Sequence, residues 1–483
     1  MTTGRSGSNP TAAPAPTPSE PPAAGVLAAD RLGVVAIAFF VVAAAAPMAA
    51  VVGASGVLFS AVGPATPLVY VLAALMIALF AVGYLRMSRH ITNAGGFVAY
   101  IAKGLGNRWA SGGAGLAVLT YLTLQVGLWS QFGVFTQSLV ADLTGLSLPP
   151  LVWILVVLAL VTLLTVRGVD ASVRLLGLLI VGETAVVAVL VVALVARHGW
   201  GVFSIGGFTA ENLFSPGLGV ALLFAFLCFT AFEATVVFSE EARDPRRTIP
   251  RALYLVIAFV GAFYGLSTWV IGGAIGIDAV SATATADPAG FIFTLAEGAG
   301  GRGLSLAMQI LVVTSFVAML LGLCNMFSRY LFALGRAGAL PRRLSGTTST
   351  GSPHVAALVN SGAVAAVITA FLLAGADPIG VVFAWFTALG TAAFISVLIL
   401  TSLAIVVFFA RRTPDDVWGE IAAPSLSILL LAYVGHLTLS NYTLLSGSDG
   451  VAGWMLLAVP VFLVAGVVRH ATASSIDYAA EIF

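Results

Sequence analysis

The sequence predicts an all-α membrane protein of twelve transmembrane helices, and three observations carry that prediction. The first is composition: 60% of the 483 residues are hydrophobic and only 8% are charged. A chain so poor in charge cannot cover a water-facing surface, so lipid must be the solvent for most of it. The second is the recurrence of apolar runs near the roughly 20 residues that carry a helix across a bilayer. The third is the sidedness of the basic residues between those runs.

Taken in order, the runs are 32–60, 65–85, 109–141, 151–166, 172–196 and 217–241, then 252–276, 304–334, 355–374, 379–409, 422–445 and 452–470. The fourth is short for a crossing. With the intervening loops placed alternately on two sides, 19 of the 21 Lys and Arg residues fall on one side, and only Arg197 and Arg302 fall on the other. An excess of basic residues marks the cytoplasmic side. Both termini are therefore expected in the cytoplasm, and one missed or invented helix would scramble the pattern. Lys103 is the single lysine in a chain rich in Ala, Val and Gly, which suits a high-GC bacterial genome and so an inner (cytoplasmic) membrane.

Residues 1–31, rich in Pro, Ala, Ser, Thr and Gly, read as a disordered cytoplasmic tail without the basic-then-apolar order of a signal peptide. Residues 471–483 read as a second cytoplasmic tail. A net charge of +1 argues against a nucleic-acid partner. Cys228 and Cys324 both sit inside apolar runs, so no disulfide is expected. No metal-ligand cluster, phosphate-cradling Gly-Lys-Ser/Thr loop or nucleophile triad spacing is found. The expectation is no cofactor, no metal, no ATP-driven pump and no membrane enzyme.

Two spans should be interrupted. The first runs through Ala45-Ala46-Pro47-Met48 and then Gly53-Ala54-Ser55-Gly56. Proline removes a backbone donor and clashes with the preceding turn, and glycine weakens a helix further. The sixth runs through Phe229-Thr230-Ala231-Phe232-Glu233, which places a carboxylate in an apolar stretch. These positions correspond if the first ten helices form two repeats of five. Interrupted helices at matching places in inverted halves point to a midplane substrate site in a secondary transporter. A simple packing kink is the competing reading.

The stretch FTAFEATVVFSEEARDPRRTIPRA, Phe229 to Ala252, resembles the sixth helix and following loop of the amino acid–polyamine–organocation transporter superfamily. Asn93-Ala94-Gly95-Gly96-Phe97 through Gly104-Leu105-Gly106 resembles the segment before that family's third helix. NMFSRYLFALGRAGALPRRL, from Asn325, resembles the end of its eighth. The resemblance implies a five-plus-five inverted repeat (LeuT-like), with a transport core over 32–410 divided into repeats 32–196 and 217–409. Two further helices follow over 411–470. It also implies carriage of a small amino acid or related amine, coupled to protons or to sodium, with symport and exchange both open. A membrane-embedded substrate sensor is the alternative of a different class.

Where many members of that family carry Gly-Ser-Gly at the first break, this chain has Ala46-Pro47-Met48. The resemblance makes these three, with Phe229, Thr230, Ala231 and Phe232, the expected substrate-binding residues. Pro47 offers no N–H, which leaves less for a substrate carboxylate to bind. Tyr121, Gln125 and Trp129 are four apart and share one helical face. Gln125 is accordingly a candidate substrate contact, with an interhelical hydrogen bond as its other reading.

Proton-coupled members often carry a lysine about three turns after a Ser-Ala pair in the fifth helix. The same count from Ser172-Val173 arrives here at Glu183. Glu183 and Glu233 are carboxylates deep in expected spans, where ionisable groups usually mark ion or proton paths. Glu183 is expected to carry the coupled proton, Glu233 to gate or sense it. Structural readings also stand: a Glu183 pair with Arg174 or with hydroxyls such as Thr314 and Ser315, and a Glu233 bond to nearby backbone. Glu240, Glu241 and Asp244 among Arg243, Arg246, Arg247 and Arg251 read as a cytoplasmic salt-bridge gate or a solvated loop. His436 reads as a packing residue outside the core.

Overall fold

The protein is described here from a computed structural model that covers residues 33–91, 96–167, 173–233, 235, 242–348, 352–441 and 451–472. Its elements are helical. In chain order they are α1 (Val34–Ala45), α2 (Ser55–Val62), α3 (Thr66–Ser88), α4 (Gly96–Leu105), α5 (Asn107–Thr144), α6 (Pro150–Val166), α7 (Val173–His198) and α8 (Leu218–Leu227). After these come α9 (Pro245–Ile275), α10 (Val280–Ala286), α11 (Phe291–Gly300), α12 (Arg302–Arg336), α13 (His354–Leu373), α14 (Ala384–Ala410), α15 (Ala423–Ser440), α16 (Val451–Met455) and α17 (Ala458–Thr472). Local chemistry sets several ends. Proline occupies the first turn of α3, α6 and α9, where its missing N–H costs nothing. Gly145 at φ 74° and Gly276 at φ 105° stop α5 and α9, using a conformation that side chains disfavour.

Nine helical stretches among the described residues are long and apolar enough to cross a membrane. One of them, Val34–Ser88, has 55 residues, about 80 Å at 1.5 Å per residue, which is too long for one crossing. It holds the first two expected spans, which meet at Gly63 (φ 51°, ψ −126°). The spans expected at 151–166 and 217–241 differ from the rest. α6 has 17 residues and α8 only 10, because the second of these runs stops at an interruption. Within the run expected at 452–470 the helix is also in two pieces, α16 and α17.

Helices pack through close backbone approach. α3 lies on α9, α5 on α12 and α14, and α6 on α13. A Cβ on Gly104 of α4 would stand 2.1 Å from the Ala404 carbonyl oxygen of α14, and one on Gly466 of α17 would stand 2.3 Å from the Ser111 carbonyl oxygen of α5. Small residues at such crossings let apolar helices associate in lipid, where no hydrophobic drive separates protein from solvent. α15, expected outside the transport core, packs on both α3 and α8. A Cβ on Gly219 would meet the Leu437 carbonyl carbon at 2.6 Å. His436 faces outward from α15, so the packing role expected for it is not what the fold gives it.

The Gly53–Gly56 stretch stays helical rather than loosening. Ala50–Ala54 is a π-helical turn that runs straight into α2. The two glycines answer to neighbours instead: Gly53 to the Gln131 amide, and Gly56 to the Pro288 carbonyl oxygen, which a Cβ would meet at 2.1 Å. Gly56→Ala should therefore lower stability by about 1–3 kcal/mol, the usual cost of overpacking, whereas Gly322→Ala, at an exposed helical position with open space around it, should be neutral or stabilising. Thermal unfolding of the two purified variants in detergent checks this; equal melting temperatures would contradict it.

Candidate functional site

The site is built from an interruption in the first helix. α1 ends at Ala45, and Ala46 adopts φ 46°, ψ 70°, the only left-handed non-glycine residue among those described. A Cβ in that region costs of order 1 kcal/mol. The Ala46 N–H turns back to the Ala43 carbonyl at 3.1 Å, and the chain then resumes as a helix at Pro47. The new helical start has no N–H at Pro47. The next donor, Met48 N–H, points at the Glu183 carboxylate on α7, 3.2 Å away and 135 residues distant in sequence.

Glu183 is 3% exposed. The Ser315 hydroxyl of α12 faces the same carboxylate, with no hydrogen bond of full geometry among the described residues. The carboxylate thus caps the orphan donor of a helix N-terminus, where the helix dipole favours a negative charge. The structural readings of Glu183 named Arg174, whose side chain lies outside the described residues, and Thr314, whose hydroxyl bonds instead to carbonyls of its own helix.

The second interruption lies after α8. Cys228 and Phe229 form a turn whose N–H groups tighten onto carbonyls three residues back, and Thr230–Glu233 follows as a single 3-10 turn. The Thr230 hydroxyl donates to the Leu227 carbonyl at 2.9 Å. Phe229 and Phe232 are buried, while Thr230 and Ala231 are partly open.

Two tyrosines tie the interruptions together. Tyr264 of α9 sets its ring 6.2 Å from that of Phe229, and its hydroxyl makes a long 3.5 Å contact with the Ala45 carbonyl. Tyr70 of α3 joins the Ser55 hydroxyl at 3.0 Å to the Cys228 thiol at 4.0 Å. The Ala46–Met48 and Phe229–Phe232 segments are thereby held in one neighbourhood.

Below the second interruption the chain builds an aromatic cluster around Glu233. Phe232 contacts Phe80 and Tyr84 of α3, Phe97 of α4 and Phe394 of α14, with ring centroids 5.7–6.3 Å apart. Glu233 lies near Tyr84, whose buried hydroxyl has no hydrogen-bond partner among the described residues. The nearby backbone read as one alternative partner for Glu233 lies partly outside the described residues, which do not include 234 or 236–241. Of the charged cluster read as a cytoplasmic salt-bridge gate or a solvated loop, Asp244 pairs with Arg247 at 3.7 Å on the surface, and Glu240 and Glu241 lie outside the described residues.

Gln125 is engaged by a neighbouring helix. Its amide forms a reciprocal pair with Asn360 of α13, at 3.2 and 3.3 Å, and also donates to the Tyr121 carbonyl. Tyr121 does share its face, against Phe327 and Tyr330 of α12. The residues that sequence reasoning passed over are Tyr70, Tyr264, Tyr84 and Tyr100. Their only signal was a phenol inside or beside an apolar run, which a buried hydroxyl makes costly unless it has a use. A cavity of about 710 Å³ opens in a different place, between the end of α7 and α10–α11, lined in part by Leu194, Arg197 and Asp287. Leu194 stands about 16 Å along α7 from Glu183, so that cavity is separate from the interruptions.

A family model described as amino acid permease matches residues 36–447. The branched-chain amino acid permease BcaP of Lactococcus lactis subsp. cremoris (strain MG1363) is 27% identical over 307 residues, covering 57% of this chain and 62% of that protein. The aromatic amino acid transport protein AroP of Escherichia coli (strain K12) is 28% identical over 194 residues, covering 38% of this chain and 40% of that protein. The matched segments thus span less than two thirds of either relative's length.

The strained backbone at the first interruption is open to a direct test. Ala46→Gly should keep or slightly raise the melting temperature, because glycine adopts the left-handed region freely. Ala46→Val should lose about 2 kcal/mol, since a branched Cβ worsens the same clash. Equal stability of the two variants would show that Ala46 is not held in this conformation.

Proposed function

As the chain belongs to the amino acid permease family, a family of transporters and not of enzymes, we propose that it is a secondary transporter. In this reading it imports an amino acid or a related small amine across a bacterial inner membrane, with protons, by alternating access. The observation that carries the proposal is the Met48 N–H held by the buried Glu183 carboxylate, at an interruption that Tyr264 joins to a second one. Half-helices that meet at mid-depth supply N–H groups for a substrate carboxylate and carbonyls for a cation.

The substrate lies against Ala46, Pro47 and Met48 on one side and Phe229, Thr230, Ala231 and Phe232 on the other. The two relatives are named for branched-chain and aromatic amino acids, and the apolar side chains at both interruptions suit substrates of that kind. Gln125, with its amide engaged by Asn360, holds α5 against α13 and shapes the pocket from behind. Glu233, under the aromatic cluster, gates the cytoplasmic path.

The helices are read as twelve crossings. α1–α2 and α3 make two, the interrupted α8 segment makes one, and α6 spans by itself. Four of the five helices of the first half pack on their counterparts in the second: α1 on Thr230–Glu233, α3 on α9, α5 on α12 and α6 on α13. That pairing supports a five-plus-five inverted repeat. The basic residues then set both termini in the cytoplasm.

Proton coupling is favoured over sodium because the Glu183 carboxylate accepts a hydrogen bond from Met48 N–H, a donor that would repel a bound cation. A carboxylate taken out of water is costly as an ion, so a proton relieves it during the cycle. Purified protein in liposomes should accumulate labelled leucine or phenylalanine under an imposed pH gradient without sodium. Glu183→Gln should abolish that accumulation while leaving substrate exchange partly intact. Uptake by the Gln variant that follows the pH gradient at the wild-type level would remove Glu183 as the proton carrier, and strict sodium dependence of the wild type would favour sodium coupling.

A further inference from the structure

We propose that Glu183 is an internal competitor of the substrate carboxylate, so that a substrate bearing a carboxylate binds together with a proton, whereas an amine lacking one binds against the ionised Glu183. This rests on the transport reading above. From Pro47 to Val62 the chain is one continuous helical run, and its N-terminal end favours an anion through its free N–H and its dipole. Only a small set of donors exists there, because Pro47 has no N–H and the Met48 N–H is already taken by Glu183. A second observation marks the place as built for a changing partner. The Ser315 hydroxyl, in a residue 2% exposed, faces the carboxylate and has no hydrogen bond of full geometry among the described residues.

No fixed cation neutralises the carboxylate among the described residues. From α9 the titratable group facing it is Tyr264, from α12 it is flanked by Ser315, and α1 and Pro47–Ala49 bring no ionisable side chain. On the remaining neighbours, Glu297 of α11 is exposed. Arg302, the nearest charged residue of α12 in sequence, lies about 20 Å along the helix from Ser315. Arg174, on the same helix as Glu183, has its side chain outside the described residues.

A substrate carboxylate at Met48 N–H would therefore face the Glu183 carboxylate directly, and two anions cannot share one uncompensated buried site. One proton added to Glu183 resolves the conflict. The neutral acid gives up the Met48 N–H, its new O–H donates to the Ser315 oxygen, and the substrate carboxylate accepts from Met48 in its place. On the far side the order reverses, and departure of the substrate returns Glu183 to the N–H as its proton leaves. An ammonium ion without a carboxylate is instead attracted by the ionised Glu183, whose full charge outweighs the partial positive charge of the Met48 N–H and the helix N-terminus.

Equilibrium binding to the purified full chain tests this with two pairs of probes, L-leucine with isopentylamine and L-phenylalanine with phenethylamine. Between about pH 5 and 7 neither member of a pair changes its own charge state. Amino acid affinity should tighten by up to tenfold for each unit of falling pH, and amine affinity should weaken over the same range. In Glu183→Gln, whose amide oxygen can still accept from Met48, both dependences should vanish and the amine should lose at least tenfold. Parallel pH dependence of acid and amine, or a slope unchanged in the Gln variant, overturns the competition while leaving the transport reading intact. Absence of binding by any probe overturns the transport reading, and the competition with it.

Discussion

Everything at the centre of this molecule follows from one constraint: a helix interrupted inside an apolar medium must satisfy its freed N–H and C=O groups from within the chain. At Ala46 the chain meets that constraint with two long-range partners. Glu183 takes the donor of the following helix, and Tyr264 approaches the last carbonyl of the preceding one. At Cys228 it meets the constraint locally, by tightening to three-residue bonds and using the Thr230 hydroxyl. The first interruption therefore depends on α7 and α9, while the second is nearly self-sufficient.

That difference bears on motion. An interruption whose partners are borne on other helices would change if those helices shifted, and the Met48–Glu183 contact is the one that ties it to α7. Surrounding it is a frame of close crossings in which glycine lets backbones touch, at Gly56, Gly104 and Gly466. The reciprocal Gln125–Asn360 amide pair binds α5 to α13 in the same frame, and an amide left single there would cost about 1–3 kcal/mol. A frame of close crossings around that contact would suit the alternating access proposed above.

Much of this was legible in the residues. Pro47 announced the first interruption, and the polar-bearing run from Phe229 to Glu233 announced the second, because a proline or a carboxylate is costly to keep in an apolar span. The depth of Glu183 was readable on the same ground. Its partner was not, since a backbone N–H 135 residues away leaves no trace in composition. An interhelical hydrogen bond was one reading of Gln125, but its partner Asn360, 235 residues on, could not be paired with it by periodicity. Gly53 and Gly56 misled because glycine has two uses. Here it admits Gln131 and the Pro288 carbonyl, neighbours that only the folded chain brings near. In the span at 217–241 hydropathy runs without a break through the turn at Cys228 and Phe229, and most of its end, 236–241, lies outside the described residues.

The central claim is that Glu183 is a removable cap on the second half of the first helix. Infrared difference spectroscopy of the protein in lipid, with and without leucine at one fixed pH, tests it most directly. The account predicts that substrate binding brings up a protonated carboxyl carbonyl band that shifts in heavy water and is missing from Glu183→Gln. A substrate-induced spectrum with no such band, or one that persists unchanged in the Gln variant, would contradict it.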